Sequence, residues 1–438
     1  MYTPNKEILE KYADVMVNFA LRGWKWINQW DVVFVQIPEC AKPFYIPLQT
    51  AILKAWWHPI MQYKPDGVDR NFYENASDEQ LSFVAEAYQK WRIESSTHNI
   101  RVVADSDLHE LDGINPINIM KRIQANRKFR DLRDKKEREW KFSRTICMYW
   151  TEAMAKEAWL LLEEYRNQII DACFLNEADP VKKRKEVNSE IQRVKDKLNE
   201  MKLEYVHVIW PDEDLKVRIW ADRLRAAWRG CNIPSFEVFT SPDCRDVNWW
   251  IKCNQPLYRY WSLVEWIKLE FKDWKLIKAH ADKNNDILQE MVKIEWMDYL
   301  WEFSLTDARI SRITHFMAET LFDENVWWKY GNTHVALWKW FDECYAWDKQ
   351  KLDDKEFKKS IWLNSSAEHV DVISTENRKA IWILQNWTEV LIYEDGEFKI
   401  SCIGEIVPLP MDVPSAFAFV IDSHNEPVGF IGNGWTWK

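Results

Sequence analysis

The chain has 438 residues and a mass of 52.8 kDa, enough for two domains of ordinary size. Its 59 Lys and Arg stand against 69 Asp and Glu, a formal net charge of −10, which argues against nucleic acid as the main partner because phosphate binding needs a basic surface. Hydrophobic residues make up 47% and charged residues 29%, which is globular and not disordered. No apolar run reaches the roughly 18 residues that a membrane-spanning helix requires.

Two counts are abnormal. Glycine is 10, where average usage of about 7% would give roughly 31. Tryptophan is 29. The shortfall of one matches the excess of the other in size, and one base change converts the glycine codon GGG into the tryptophan codon TGG.

The N-terminus, MYTPNKEILEKYADVM, has neither a basic n-region nor an apolar h-region, which predicts no signal peptide and a cytoplasmic protein. Residues 6–21 carry apolar side chains at 8, 9, 12, 15, 16, 19 and 20, helical spacing. Asp31–Gln36 and Ile100–Ala104 are short β-rich runs, and Pro47–Ala55 reads as a helix between them. That alternation predicts an α/β layer with parallel strands. Residues 121–144 hold eleven Lys or Arg against four Asp or Glu, which suits either an anion site or, more commonly, a solvated helical face.

Asp179 and Pro180 are suited to the start of a helix over 180–202, whose apolar stripe includes Val187, Ile191, Val194 and Leu198. Strand-like Tyr205–Ile209 follows, so a domain boundary is expected near 203. The second half is richer in β pattern: 235–239, 258–261, 264–271, 275–279 and 372–374 are strand candidates. Residues 391–400 read as a hairpin turning at Asp395-Gly396, and 305–322 as helical. The expected organisation is an N-terminal α/β domain (1–203), a C-terminal α+β domain (204–401) and an unassigned tail (402–438). The eight cysteines form no CxxC and show no disulfide-like spacing, which points to reduced, mostly buried thiols.

The motif scan is mostly negative, with no GxxxxGK[ST], GxGxxG, GxSxG or HExxH. Two histidines lie in unusual settings. His334 follows Gly331-Asn-Thr, ten residues after Glu324, and His369 is two residues before Asp371, so a strand would turn both members of that pair to one face. Imidazole with carboxylate suits a divalent metal such as zinc, cobalt or manganese, although a lone His-x-Asp is more often a simple hydrogen-bonded pair.

Several separated segments, in order, resemble the thermophilic metallo-aminopeptidase family, the group of aminopeptidases T, S and II. They are Val35-Gln-Ile-Pro-Glu-Cys-Ala41, Lys54-Ala-Trp-Trp-His-Pro59, Glu152–Ala158 with Glu163-Glu-Tyr165, Asn232–Pro242, Glu302-Phe-Ser-Leu305, Leu321-Phe-Asp-Glu-Asn325, Gly331–Leu337 and His369-Val-Asp371. The resemblance runs from residue 1 to about 400. It implies a cytoplasmic homodimer that uses two-metal-activated water attack to release N-terminal residues from peptides with a free N-terminus. By motif, it implies two divalent ions (zinc, cobalt, manganese or magnesium) held by Glu237, Glu302, Glu324, His334, His369 and Asp371. Glu302 would bridge them, and Glu237 or Glu302 would serve as general base.

The chain departs from this pattern in two respects. The family's Tyr seven residues after the His of its H-[IV]-A-L segment is Phe341 here, which removes a hydroxyl donor worth about 3 kcal/mol of transition-state stabilisation. Trp also stands where the family pattern reads Gly at 56, 57, 159, 249, 266, 274, 301, 327, 328 and 338, which predicts positive φ at these sites. Both favour an alternative reading, a catalytically impaired homologue acting as a binding or structural protein. A third reading, a carbohydrate binder with tryptophan platforms, fits less well because the tryptophans fall at turns and not in a ladder.

Overall fold

A computed structural model describes residues 5–401 except 22–29, 212, 220–221, 228–229, 260–261, 295, 338–339 and 364–368, together with strands 419–421 and 427–430. The fold is mixed α/β. The first half is built on parallel strands β1 (Val32–Pro38), β2 (His58–Lys64), β3 (His98–Val103) and β4 (Ser143–Met148), in the order β2-β1-β3-β4, extended by Asn232–Ile233. Val33, Val35 and Ile37 on β1, and Ile100 and Val102 on β3, face the core. Helix α1 (Lys6–Asp14) is capped by the Asn5 side chain and continues as a π-helical turn through Val15–Leu21. Helix α2 (Tyr45–Lys54) occupies the expected segment between strands.

The basic stretch forms Pro116–Ala125 and, beyond Glu86–Ser95 (α3), the helix Arg127–Arg138 (α4). A short helix α5 (Glu152–Glu157) follows β4. The long helix α6 (Pro180–Glu200) begins with the Asp179 carboxylate accepting from Lys182 N at 2.9 Å and with Pro180 at its first position, as its sequence predicts.

Two large antiparallel sheets dominate the second half. An eight-stranded sheet includes Leu203–Trp210 and Glu213–Arg218, the hairpin Ile267–Lys272 with Lys275–His280, and the hairpin Glu389–Glu394 with Glu397–Phe398. A five-stranded sheet holds β5 (Glu237–Thr240), β6 (Leu300–Thr306), β7 (Asn332–Leu337) and β8 (Val370–Ser374), in the order β8-β7-β6-β5, closed by Arg225–Ala226. Every residue of these four named strands is buried. The helix expected over 305–322 does not form. Leu305 and Thr306 finish β6, and only Thr320–Asp323 is helical. The Asp307 carboxylate stops the segment, accepting from Arg309 N and from Phe398 N in the terminal hairpin, both at 2.9 Å. Most of the tail lies outside the described residues.

The backbone at the tryptophans divides them. Among the described residues, sixteen non-glycine residues have positive φ, and ten are Trp. Five are positions where Gly was expected, 56, 159, 249, 266 and 274; the other five are 30, 140, 296, 362 and 387. At 57, 301, 327 and 328 the expectation fails, since none of these has positive φ, and 338 lies outside the described residues. Trp57 and Trp301 are core residues. The first stacks on His98 at 5.1 Å and the second donates its indole N–H to Trp296 O at 3.0 Å.

Candidate metal centre

Strand register assembles the site. Glu237 is paired with Thr306, Ser304 with His334, Glu302 with Ala336, and Ala336 with Asp371. Directly paired residues share a face, and so do residues two apart on one strand. Glu237, Glu302, His334 and Asp371 therefore project from one face of the β5–β8 sheet, with His369 two residues before Asp371. Helices and loops cover that face, so all of these but the half-buried His369 are buried.

Two clusters result, and Glu302 belongs to both. Ligand atoms of Glu237, Glu302 and His334 lie within 4.8 Å of one another, as do those of Glu302, His369 and Asp371. His334 Nε2 is 3.1 Å from Glu237 Oε2 and 3.6 Å from Glu302 Oε1. His369 Nε2 is 3.2 Å from Glu302 Oε2 and 2.8 Å from Asp371 Oδ1. Yet His334 Nε2, Glu302 Oε2 and Asp371 Oδ1 make no aligned hydrogen bond. Atoms this close, with lone pairs not aimed at one another, are arranged as ligands around shared cations are. Two carboxylate–imidazole triads with a common carboxylate fit a metal centre.

Supporting contacts fix the ligands. The Ser304 hydroxyl donates to Glu237 Oε2 at 2.8 Å. Asn332 Nδ2 donates to the carbonyls of Asp323 and Val326 at 3.1 and 3.0 Å, which turns its Oδ1 toward His334 Nδ1 at 3.2 Å. His334 therefore donates from Nδ1 and presents Nε2 to the acids, the tautomer a metal ligand needs. Neither Ser304 nor Asn332 is singled out by the sequence, although Asn332 lies inside the Gly331-Asn-Thr-His segment. Glu324 is buried beside the clusters but outside both triads. It accepts from Asn232 Nδ2 at 3.2 Å, and it feels the charges of Glu237 and Asp371. The Phe341 ring packs edge-on against His369 at 5.1 Å and Phe239 at 5.3 Å, so the position expected to carry a hydroxyl is at the site.

The electrostatics describe a pocket crowded with negative charge. Burial, then the Glu237 and Asp371 charges, raise the Glu324 carboxyl well above its ordinary range. Burial also raises Glu237. Burial works to lower the imidazoles, but the acids outweigh it: Asp371 and Glu302 push His369 up to about 10, and Glu237 with Glu302 raises His334. Without metal, protons on the imidazoles partly neutralise the acids, a role that bound cations would take over.

The sequence matches the family described as thermophilic metalloprotease (M29) over residues 5–398. It is 26% identical to aminopeptidase PepS of Streptococcus thermophilus over 432 residues, 91% of this chain and 100% of that protein. It is 28% identical to aminopeptidase AmpS of Bacillus subtilis over 216 residues, 47% of this chain and 51% of the other. Wild-type AmpT from Thermus thermophilus shares its fold, with a TM-score of 0.75 at 21% identity, over 90% of this chain and 99% of that one. The fold, the length of the match and a carboxylate–imidazole centre built on its motifs agree, and this chain belongs to the thermophilic metalloprotease (M29) family.

Proposed function

We propose that the chain is an aminopeptidase that holds two divalent cations, with Glu302 as the shared ligand. Glu237 and His334 complete one site and His369 and Asp371 the other, while Glu324 adds a further negative charge beside them. The single observation that carries this reading is the pair of triads meeting at Glu302. Four buried carboxylates carry four negative charges, which two divalent cations balance. Bound there, such cations supply Lewis acidity and acidified water.

The remaining steps belong to this chain's side chains. A peptide's free α-amine can be held by hydrogen bonds to the carboxylate oxygens of this pocket, and a site that holds the amine favours removal of terminal residues. Glu237 or Glu302 takes the proton of the attacking water. Zinc, cobalt, manganese and magnesium are all compatible with the donor set, and the family resemblance implies a homodimer in the cytoplasm.

The test is metal content after purification together with hydrolysis of leucyl and arginyl amides, with and without a chelator. Two equivalents of metal and chelator-sensitive release are expected. A second reading, a metal-binding homologue without turnover, is favoured by Phe341 at the site; bound metal with no release in the same assay would establish it. Metal-free protein after reconstitution would sink both.

A further inference from the structure

The basic stretch noted in the sequence has a structural role beside the metal centre. Gln36 on β1 is paired with Arg101 on β3, and Asn99 on β3 with Arg144 on β4. These residues alternate with the core-facing Val35, Ile100, Val102 and Thr145, so one face of the parallel sheet is polar. Parallel strands are normally apolar on both faces. Here the polar face forms one wall of a cavity of about 480 Å³, within the range of small-ligand sites. Helices α3 and α4 contribute Arg92, Arg130 and Arg133 to its lining, and His369 is part of the same lining.

Five arginines thus share a cavity in which, among the described residues, Asp134 is the only acidic one in the lining. Arg144 is 3.3 Å from Glu137, and Arg92 lies over the Phe34 ring at 5.0 Å. Arg133 Nε is buried with no hydrogen-bond partner. Burial and then the neighbouring Arg144 charge lower the Arg133 pKa, as expected where like charges are crowded. At the His369 end of this cavity stand the carboxylates of the metal centre. A short peptide has the complementary polarity, ammonium at one end and carboxylate at the other.

We propose that the arginine-lined cavity binds the C-terminal carboxylate of short peptides, so that the chain prefers substrates a few residues long with a free C-terminus. This rests on the aminopeptidase reading. Guanidinium forks pair with carboxylate through two parallel hydrogen bonds. The test compares Leu-Gly-Gly, its C-terminal amide and Leu-Asp-amide on the wild-type protein and on Arg101→Gln and Arg133→Gln. The free tripeptide should be favoured over its amide by about tenfold or more in KM, and this ratio should fall toward one in both variants. Equal KM values in the wild type, or a ratio that survives both substitutions, overturn the proposal. An equal gain for Leu-Asp-amide would show a reader of acidic side chains and would also overturn it. If no peptide is cleaved in a chelator-sensitive way, the aminopeptidase reading fails separately. The cavity is then read by thermal shift, where equal shifts from free and amidated peptide count against it.

The tryptophans carry a second inference from independent observations. Nine of the ten with positive φ are exposed, and Trp296 is half-buried. Four of them, Trp56, Trp140, Trp159 and Trp362, follow helix ends in the same way. In each case the next residue's N–H returns to a carbonyl five residues back: Trp57 to Ile52, Lys141 to Lys136, Leu160 to Ala155 and Leu363 to Lys358. This is the helix stop in which glycine usually holds the left-handed position. Asp273-Trp274 (φ 48° and 71°) turns a hairpin just as Asp395-Gly396 (φ 52° and 78°) does.

We infer that the natural chain carries glycine at these ten positions, through a codon read as glycine in its own cells and written as tryptophan in this sequence. Mass spectrometry of the protein isolated from those cells should show glycine in peptides spanning 56, 140, 159, 274 and 362. Tryptophan in these peptides overturns the inference.

Discussion

At the scale of single residues, the site depends on side chains that the metal-binding pattern alone does not reveal. Asn332 is the clearest. Its amide is locked by two backbone carbonyls, and its oxygen sets the tautomer of His334. Loss of such an outer partner typically weakens metal binding about 10- to 100-fold. Asn332→Ala should do the same in a chelator-competition titration, and an unchanged affinity would show that His334 is held by its other neighbours. Phe341 makes the opposite case, a group that is missing. Its ring already lies against His369, so Phe341→Tyr adds only a hydroxyl. If that hydroxyl reaches the oxygen that becomes charged during attack, kcat on leucyl amides should rise about 100-fold with KM little changed. An unaltered kcat would place that oxygen elsewhere.

At the scale of elements, the helix ends and turns set the energetic problem. A bulky residue held in the left-handed region costs about 1–2 kcal/mol relative to glycine. Ten such sites sum to roughly 10–20 kcal/mol, as much as the whole net stability of an ordinary domain or more. Trp56→Gly, Trp140→Gly, Trp159→Gly and Trp362→Gly should therefore each raise the melting temperature by about 1–2 °C, nearly additively because the helix ends are far apart. Calorimetry of the single and fourfold variants checks this, and a fall in Tm would mean that the indole rings contribute more packing than their exposure suggests. The same turns explain what was legible in the sequence. Helix α6, with Asp179 and Pro180 at its start, and the Asp395-Gly396 hairpin carry local signals and form as expected. Strands β6 and β7 carry none, because both faces are covered and every residue is buried, so no alternation marks them. Glu302 on β6 therefore carries no signal of its own and, like Glu237 on β5, came only from resemblance to a family, whereas Glu324, His334, His369 and Asp371 stand out by their spacing from one another. The reading of 305–322 as helix failed because the Asp307 carboxylate ties that segment to the terminal hairpin, a contact about 90 residues distant in sequence.

At the scale of the whole molecule, the metal centre is a stability element as well as a chemical one. Its ligands come from four adjacent strands of one sheet and from His369, the residue preceding the last of them, so a chain that unfolds scatters them. Cations that bind only the folded state stabilise it by about 4 kcal/mol per site at a thousandfold excess over Kd. For roughly 400 ordered residues the unfolding entropy converts this into about 5 °C per site. The sign follows from the charges: with the metals removed, the buried acids repel one another and rely on protonated imidazoles, so the apo form must be the less stable. Thermal melts with zinc, cobalt, manganese or magnesium, and with a chelator, should separate by about 5–10 °C, and the order of the shifts should name the preferred ion. Coincident melts would mean that Glu237, Glu302, His334, His369 and Asp371 are held together by their own hydrogen bonds and protons, with no cation shared between the two triads.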